Sequence, residues 1–448
     1  MNNFDAIKKA LVSAAEAAGI GEYEIYYQSV SSIDAETLKD ELSSFSSGVS
    51  GGICFRCVVD GHMGYASTEV MELSEMAALV ACAANNARFI GTDEQEVIFS
   101  GSPEYGHKTC DYTSLPDAET LKQTALAIQR GSYAQSEYVA DGTQSGAEAY
   151  EIETVLCNSG GLELSNRASF TGGYSYVVVN RDGEHESAMD FRLGCDTETL
   201  LQTCAEAHTK AMSKLGAGEV DSGEYDIVIS GKQMNSLLAT FWSVFSGHSV
   251  RLGLSLLGDK VGSKIAADCV TLSDDPFDPN CPVQTTFDAE GVAVYPKNVI
   301  ENGVLKTLLY NLSEATKAGC SSTGNAFKGS YADTVGTRPY RLGIEPGTLD
   351  REALFGKVGN GIFVTEIKGL HAGANPNTGD FSVESAGFMI ENGKKGRPVK
   401  SFTIAGNFYE LLRGITDIGN KVDYGIPAGL NVFACPDVLV RNISVAGK

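Results

Sequence analysis

The sequence predicts an α+β chain, with an N-terminal α+β domain of hairpins and helices over 1–218 and a β-rich, antiparallel C-terminal domain with a few helices over 222–448. Three observations carry this. Glycine is abundant and proline scarce, 50 against 12 in 448 residues, which suits many tight turns between strands. Asp-Gly or Asn-Gly pairs fall between strand-like runs at Asp60-Gly61, Asp182-Gly183, Asn302-Gly303 and Asn392-Gly393, and such pairs favour the primed turns of β-hairpins. Beyond the helix that begins near Gln233, strand-like runs alternate with turns.

Taken in order, Phe4, Ile7, Leu11 and Ala14-Ala15 recur at helical spacing, and Gly19 stands where a helix C-terminus favours glycine. Gly52 to Val59 and Met63 to Ser67 flank the first turn pair as strands. Helices are expected over roughly 74–89 and 117–133. Strand patterning returns near Tyr150, through Val155 to Asn158 and Leu162 to Leu164, and Tyr174 to Val179 leads into the second turn pair. A helix over about 197–215 closes the first half. The small, polar, aperiodic stretch from Leu215 to Gly223 is the best domain boundary. Beyond it Tyr225 to Ile229 reads as a strand, and Met234, Leu237, Leu238, Phe241, Val244 and Phe245 draw one apolar helical face. Shorter helices are expected near 313–318 and 408–418, with hairpins between them.

Composition excludes several functions. Acidic residues number 57 against 34 basic, a net charge of −23, so a phosphate backbone or an anionic membrane surface would be repelled. At 43% hydrophobic and 20% charged the chain is an ordinary globular protein. Eleven cysteines scattered through apolar runs read as reduced thiols of a cytoplasmic protein. No secretory signal opens the sequence and no stretch reads as a membrane span.

Several motif-like patterns dissolve on inspection. Cys54 and Cys57 lie i, i+3 on a strand, so their sulfurs point to opposite faces. Gly48-Val49-Ser50-Gly51-Gly52 matches G-x-S-x-G, but a nucleophile elbow needs a strand before it and a helix after it, and here a strand follows. The six histidines are spread without the paired spacing of a zinc site, and His248, near the end of the helix that begins about Gln233, reads as a helix cap. The sequence therefore assigns no catalytic residue and no metal ligand. The most loop-like polar cluster runs from Asn375 to Ser382. Its Asn375, Thr378, Gly379, Asp380, Phe381 and Ser382 are the candidate substrate-binding residues, with a structured turn as the alternative.

The C-terminal segments then become specific. Gly303-Val304-Leu305-Lys306 through Gly319 to Ala326, Thr378-Gly379-Asp380-Phe381-Ser382 with Ile390-Glu391-Asn392-Gly393, and Ile404-Ala405-Gly406-Asn407 with the helix after it resemble the TldD/PmbA family. In the first half Val59 to Ser67 and Asn158-Ser159-Gly160-Gly161 agree. The resemblance implies a cytoplasmic two-domain protein of the metallopeptidase class, linked to the maturation or degradation of small peptides and to modulators of DNA gyrase. In the TldD branch an H-E-x-x-x-H motif follows the first strand of the second domain, and its histidines hold zinc together with a late cysteine. Here the corresponding positions read Ala239-Thr240 and Val244, and Cys435 falls several residues too late. The chain thus resembles the PmbA branch, also called TldE.

What this implies is a subunit without its own zinc or other cofactor. Zinc is expected only in a TldD-type catalytic partner that completes a heterodimer, with a homodimer when the chain is alone. Its ligands would be small unfolded peptides. An autonomous homodimeric hydrolase and a non-catalytic peptide-binding module are the alternatives.

Overall fold

The structure, a computed structural model, describes residues 4–89, 97–194 and 196–448. The first sheet contains β1 (Glu22–Leu38), β2 (Glu41–Val59), β3 (His62–Thr68), β4 (Gln144–Asn158), β5 (Glu163–Arg181) and β6 (Glu184–Leu193). They lie in the order β3-β2-β1-β4-β5-β6, and every neighbouring pair is antiparallel. The expected turns are present. Asp60 and Gly61 have φ of 53° and 84°, and Asp182 and Gly183 have 55° and 85°, the left-handed pair that a type I′ turn requires. The β1–β2 turn has the same geometry at Lys39 and Asp40, with φ of 54° and 61°. Neither residue is glycine, so the sequence carries no signal for it.

Helices α1 (Phe4–Ala17), α2 (Met76–Phe89), α3 (Ala118–Tyr133) and α4 (Thr197–Ser213) pack on one face of this sheet. Asp117 and Asp196 cap α3 and α4, their carboxylates accepting from the amides of Thr120 and Thr199. Ile25, Ile53, Phe55 and Cys57 join α1 and α2 in one cluster. Tyr26, Cys54 and Leu156 face the other way and meet Phe287 of the second half. Strand alternation thus places Cys54 and Cys57 on opposite faces, as their spacing predicts. Gly48 to Gly52 lies inside β2, which rules out an elbow there.

The second half contains β7 (Gly223–Ile229), α5 (Gly231–Phe241), α6 (Gly247–Arg251), β8 (Leu272–Asp274), β9 (Lys297–Glu301), β10 (Val304–Leu305) and α7 (Leu312–Ala318). There follow β11 (Ala326–Phe327), β12 (Gly336–Thr337), β13 (Arg341–Ile344), α8 (Arg351–Val358), β14 (Gly361–Lys368) and α9 (Leu370–Gly373). The chain ends with β15 (Asp380–Glu391), β16 (Lys394–Asn407), α10 (Phe408–Gly414), β17 (Ile415–Tyr424) and β18 (Val432–Ala446). The large sheet runs β10-β9-β8-β13-β18-β16-β15-β14-β7, with β17 on β18 and a further pairing of β18 with β7. The strands β7, β14, β15, β16 and β18 therefore form a closed ring of pairings.

The second half is β-rich and mostly antiparallel, as expected, and its sheet is mixed, because β14 pairs with β7 and β13 with β18 in parallel. Turn residues report only on pairings between consecutive strands; parallel neighbours are joined through long connections, which leave no such mark. The last helix stops at Gly414 instead of Ile418, because Ile415 enters β17 and pairs with Val440. Strand pairing overrides the helical reading there.

The predicted apolar face of α5 is the centre of the main core. Met234, Leu237, Leu238 and Phe241 are completely buried, and the Phe241 ring stacks on Phe408 at 4.7 Å. The uncovered face of the first sheet docks on the second half. Arg56 holds Glu24 through two hydrogen bonds of 2.7 and 3.0 Å and reaches Glu290 at 3.5 Å. The Tyr105 hydroxyl donates to the Gly291 carbonyl at 2.8 Å, and Asn166 donates to the Gln284 carbonyl at 3.0 Å.

Candidate functional site

The helix after β7 is where the resemblance places the zinc motif of the TldD branch. On α5 the Ala239 side chain is exposed and Thr240 half-exposed, with the Thr240 hydroxyl donating to the Ser236 carbonyl of its own helix at 2.8 Å. Val244 is buried in the core. None of these side chains offers a metal donor of the type zinc selects. Cys435 is fully buried in β18, at the other end of α5, where its carbonyl lies against Gly231. Burial pushes its thiol up to about 12, which disfavours the thiolate a metal needs. These residues do not fit a zinc site. Among the described residues no group of three His, Cys, Asp or Glu side chains could hold a metal ion.

His248 is not a cap. Its Nδ1 lies 3.0 Å from Glu314 on α7, and Arg251 donates to the same carboxylate from Nε at 2.7 Å and from a terminal nitrogen at 2.8 Å. These hydrogen bonds, Arg251 first, pull the Glu314 carboxyl down to about 2. The cluster fastens α6 to α7.

The loop from Asn375 to Ser382 is a tightly bonded turn leading into β15. The Asn375 side chain accepts from the amides of Asn377 and Thr378, and the Asn375 and Asp380 backbones are joined at 2.8 Å. Gly379 has φ of +84°, and a Cβ there would stand 2.8 Å from the Tyr409 ring, so glycine is required twice over. Asp380 accepts from the Asn407 side-chain amide at 2.9 Å, and that bond, with a second from Thr378, holds its carboxyl below the usual range. Phe381 turns inward to the core beside Phe241; Ser382 follows it as an exposed strand residue. The loop nevertheless borders open space. Asn407 and Tyr409, which clasp it, also line a groove of about 460 Å³ with Leu256, Ile265 and Arg413.

A second concavity had no sequence signal at all. It is a cavity of about 270 Å³ between the first sheet and the second half, bounded by Tyr26 of β1, Tyr150 of β4, Phe287, Phe327 and Tyr340. Asp288 stands in its wall and is fully committed: one oxygen accepts from the amides of Glu290 and Val292, the other from Ala326. Its burial beside Glu290 raises its pKa. Lys328 and Arg338 also line it. The contributing residues are up to some 400 positions apart, from Tyr26 to Leu430, which is why no local pattern announces them.

An α+β chain with a closed ring of strands in its second half, and without zinc donors on the helix after its first strand, is a distinctive architecture. Residues 222–447 match the PmbA/TldA metallopeptidase C-terminal domain, and residues 23–87 match domain 1 of the same family. The chain belongs to the PmbA/TldD metallopeptidase family. It is 25% identical over 437 residues to the metalloprotease PmbA of Escherichia coli O157:H7, covering 95% of this chain and 92% of the relative. A metalloprotease of Methanothermobacter thermautotrophicus is 28% identical over 437 residues, covering 92% of each. Among solved structures, a candidate modulator of a DNA gyrase from Thermotoga maritima superposes with a TM-score of 0.88 at 28% identity, over 99% of this chain and all of the other. TldE from Thermococcus kodakarensis shares the fold, with a TM-score of 0.87 at 23% identity over 98% of this chain and all of that one. No helix among the described residues is long and apolar enough to cross a membrane.

Proposed function

We propose that this chain, with domains at 1–218 and 222–448, is the TldE-type subunit of a cytoplasmic heterodimeric metallopeptidase acting on small unfolded peptides. The observation that carries the reading is the Ala239-Thr240 and Val244 replacement in a chain otherwise similar to the family along its length. Zinc held by a TldD-type partner would supply the Lewis acid and the activated water. This chain contributes walls: the groove beside α10 and the loop of Asn375, Thr378, Gly379, Asp380, Phe381 and Ser382 that borders it. Its backbone-rich surface suits recognition of peptides through main-chain hydrogen bonds, with little demand on side chains. Any effect on DNA gyrase is then indirect, through a peptide, since a chain of net charge −23 is repelled by DNA.

Mixing tests this directly. The chain alone should leave an unfolded peptide intact, whereas addition of a TldD-type partner should give cleavage that a chelator abolishes and zinc restores. Chelator-insensitive hydrolysis by this chain alone would support the autonomous hydrolase instead.

A further inference from the structure

Four Lys or Arg residues are buried among the described residues: Arg56, Lys297, Lys328 and Arg341. Three have a carboxylate. Arg56 is paired with Glu24 at 2.7 Å, Lys297 with Asp274 at 3.3 Å and Arg341 with Asp278 at 2.8 Å. Lys328, only 5% exposed, has none within ion-pair distance among the described residues. Its neighbours are the Cys54 thiol and the face of Tyr26, whose ring centre is 4.8 Å from Nζ. A ring quadrupole offsets part of the cost of burying an ammonium, but does not neutralise it. Glu24 acts on it only from a distance, since Arg56 holds both of its oxygens. Asp288, in the same wall, accepts from three backbone amides and forms no ion pair with Lys328 among the described residues.

Arg338 lines the same cavity, and its buried Nε has no hydrogen-bond partner. Its guanidinium lies over the Phe327 ring at 5.1 Å and forms no ion pair among the described residues. Two cations without an ion pair of their own among the described residues thus line one cavity, and a bound anion would give both a partner. The rings around them add an apolar wall. Together these features define a small acid with an apolar or aromatic substituent as the ligand chemistry.

We infer that this cavity is a carboxylate-binding site, in which Lys328 and Arg338 hold the C-terminal carboxylate of a short peptide and the surrounding rings hold its terminal side chain. Choosing a peptide as the source rests on the peptidase reading above; the carboxylate chemistry does not. The site lies apart from the groove beside α10, with which it shares no lining residue.

The test is calorimetric binding to the full chain without any partner, using N-acetyl-alanyl-phenylalanine, its C-terminal amide, and phenylacetate. The free acid should bind at least about tenfold more tightly than the amide, as a charge-assisted pair does relative to a neutral one. Lys328→Met should abolish that preference and Lys328→Arg should keep it; Arg338→Gln, at a half-exposed position, should weaken it and provides a second variant should Lys328→Met not fold. Phenylacetate binding as tightly as the peptide acid would overturn the peptide as ligand, leaving a free organic acid in its place. Equal affinity for acid and amide, or a preference unchanged in Lys328→Met at unchanged thermal stability, would overturn the site itself. Partner-dependent cleavage is a separate measurement, so failure of the peptidase reading and failure of this site are distinguishable.

Discussion

At the scale of single residues, Glu314 shows how a charge cluster replaces a hydrophobic contact. Its carboxylate is largely buried and receives Arg251 in a two-point grip, with His248 at 3.0 Å and Lys317 at 3.9 Å. Because the folded state holds this carboxyl down near 2, below the ordinary value of 4.5, its contribution is present in full above about pH 4.5. It is lost as the pH falls toward 2, where the folded state too must take up the proton. Thermal unfolding followed between pH 5 and pH 2 should therefore show a steep acid slope. In Glu314→Gln that slope should flatten, and stability at neutral pH should fall by on the order of 1 kcal/mol, since a neutral acceptor remains for Arg251. An identical slope in wild type and variant would show that the cluster contributes nothing. The sequence could not disclose this arrangement. His248 and Arg251 sit on α6 and Glu314 over sixty positions away on α7, so the cap reading of His248 was the only local one available.

Whole elements divide by whether their signal is local. The turns at 60–61, 182–183, 302–303 and 392–393 were legible because only certain residues tolerate two successive positive φ values, and here Asp or Asn precedes glycine each time. The apolar face of α5 was legible for a similar reason, as all its partners lie on one side. The Lys39-Asp40 turn, the parallel neighbours of β7 and β18, and the end of α10 were not, because tertiary pairing decides them. The loop at 375–382 stands between these cases: the polar cluster marked a turn, but its clasp by Asn407 and Tyr409 is long-range. Substitution separates its two roles. Gly379→Ala should cost roughly 1–3 kcal/mol, combining positive-φ strain with a clash on Tyr409. Asp380→Asn retains an acceptor for Asn407, so its stability should stay within about 0.5 kcal/mol of wild type. Thermal denaturation and partner-dependent cleavage, measured side by side with Thr378→Val included, give the answer. Cleavage lost at unchanged stability in Asp380→Asn assigns the loop to the peptide cleft; cleavage that only tracks stability makes it a turn.

At the scale of the whole molecule, the outer edge of β2 bears on assembly. β3 pairs only with Ile53 to Val59, so among the described residues no strand bonds the outer edge from Glu41 to Gly52. Residues 41–50 are exposed throughout, including Leu42, Phe45 and Val49, the last at 74%. Natural edge strands are usually blunted by lysine, proline or a bulge turned outward, and a register irregularity does lie at Leu42 to Ser44, opposite Glu36 and Thr37. Here Glu41 is the only charged residue in the stretch, and serine and glycine make up most of the rest. In a chain of net charge −23, this strand itself adds little like-charge repulsion to the approach of a second chain of the same fold. Antiparallel pairing of two such edges about a two-fold axis would satisfy free amides and carbonyls on both and cover Leu42 and Val49. Alone, the protein should therefore scatter light as a dimer, at twice the chain mass of 47.4 kDa, at micromolar concentration. The double variant Leu42→Glu, Val49→Glu places like charges across that axis while altering only exposed positions, so each should change the stability of the fold by no more than about 0.5 kcal/mol. It should be monomeric, and the same variant should fail to associate with a TldD-type chain. A dimer that survives the substitutions places the interface elsewhere, and a monodisperse wild-type monomer at micromolar concentration counts against the homodimer.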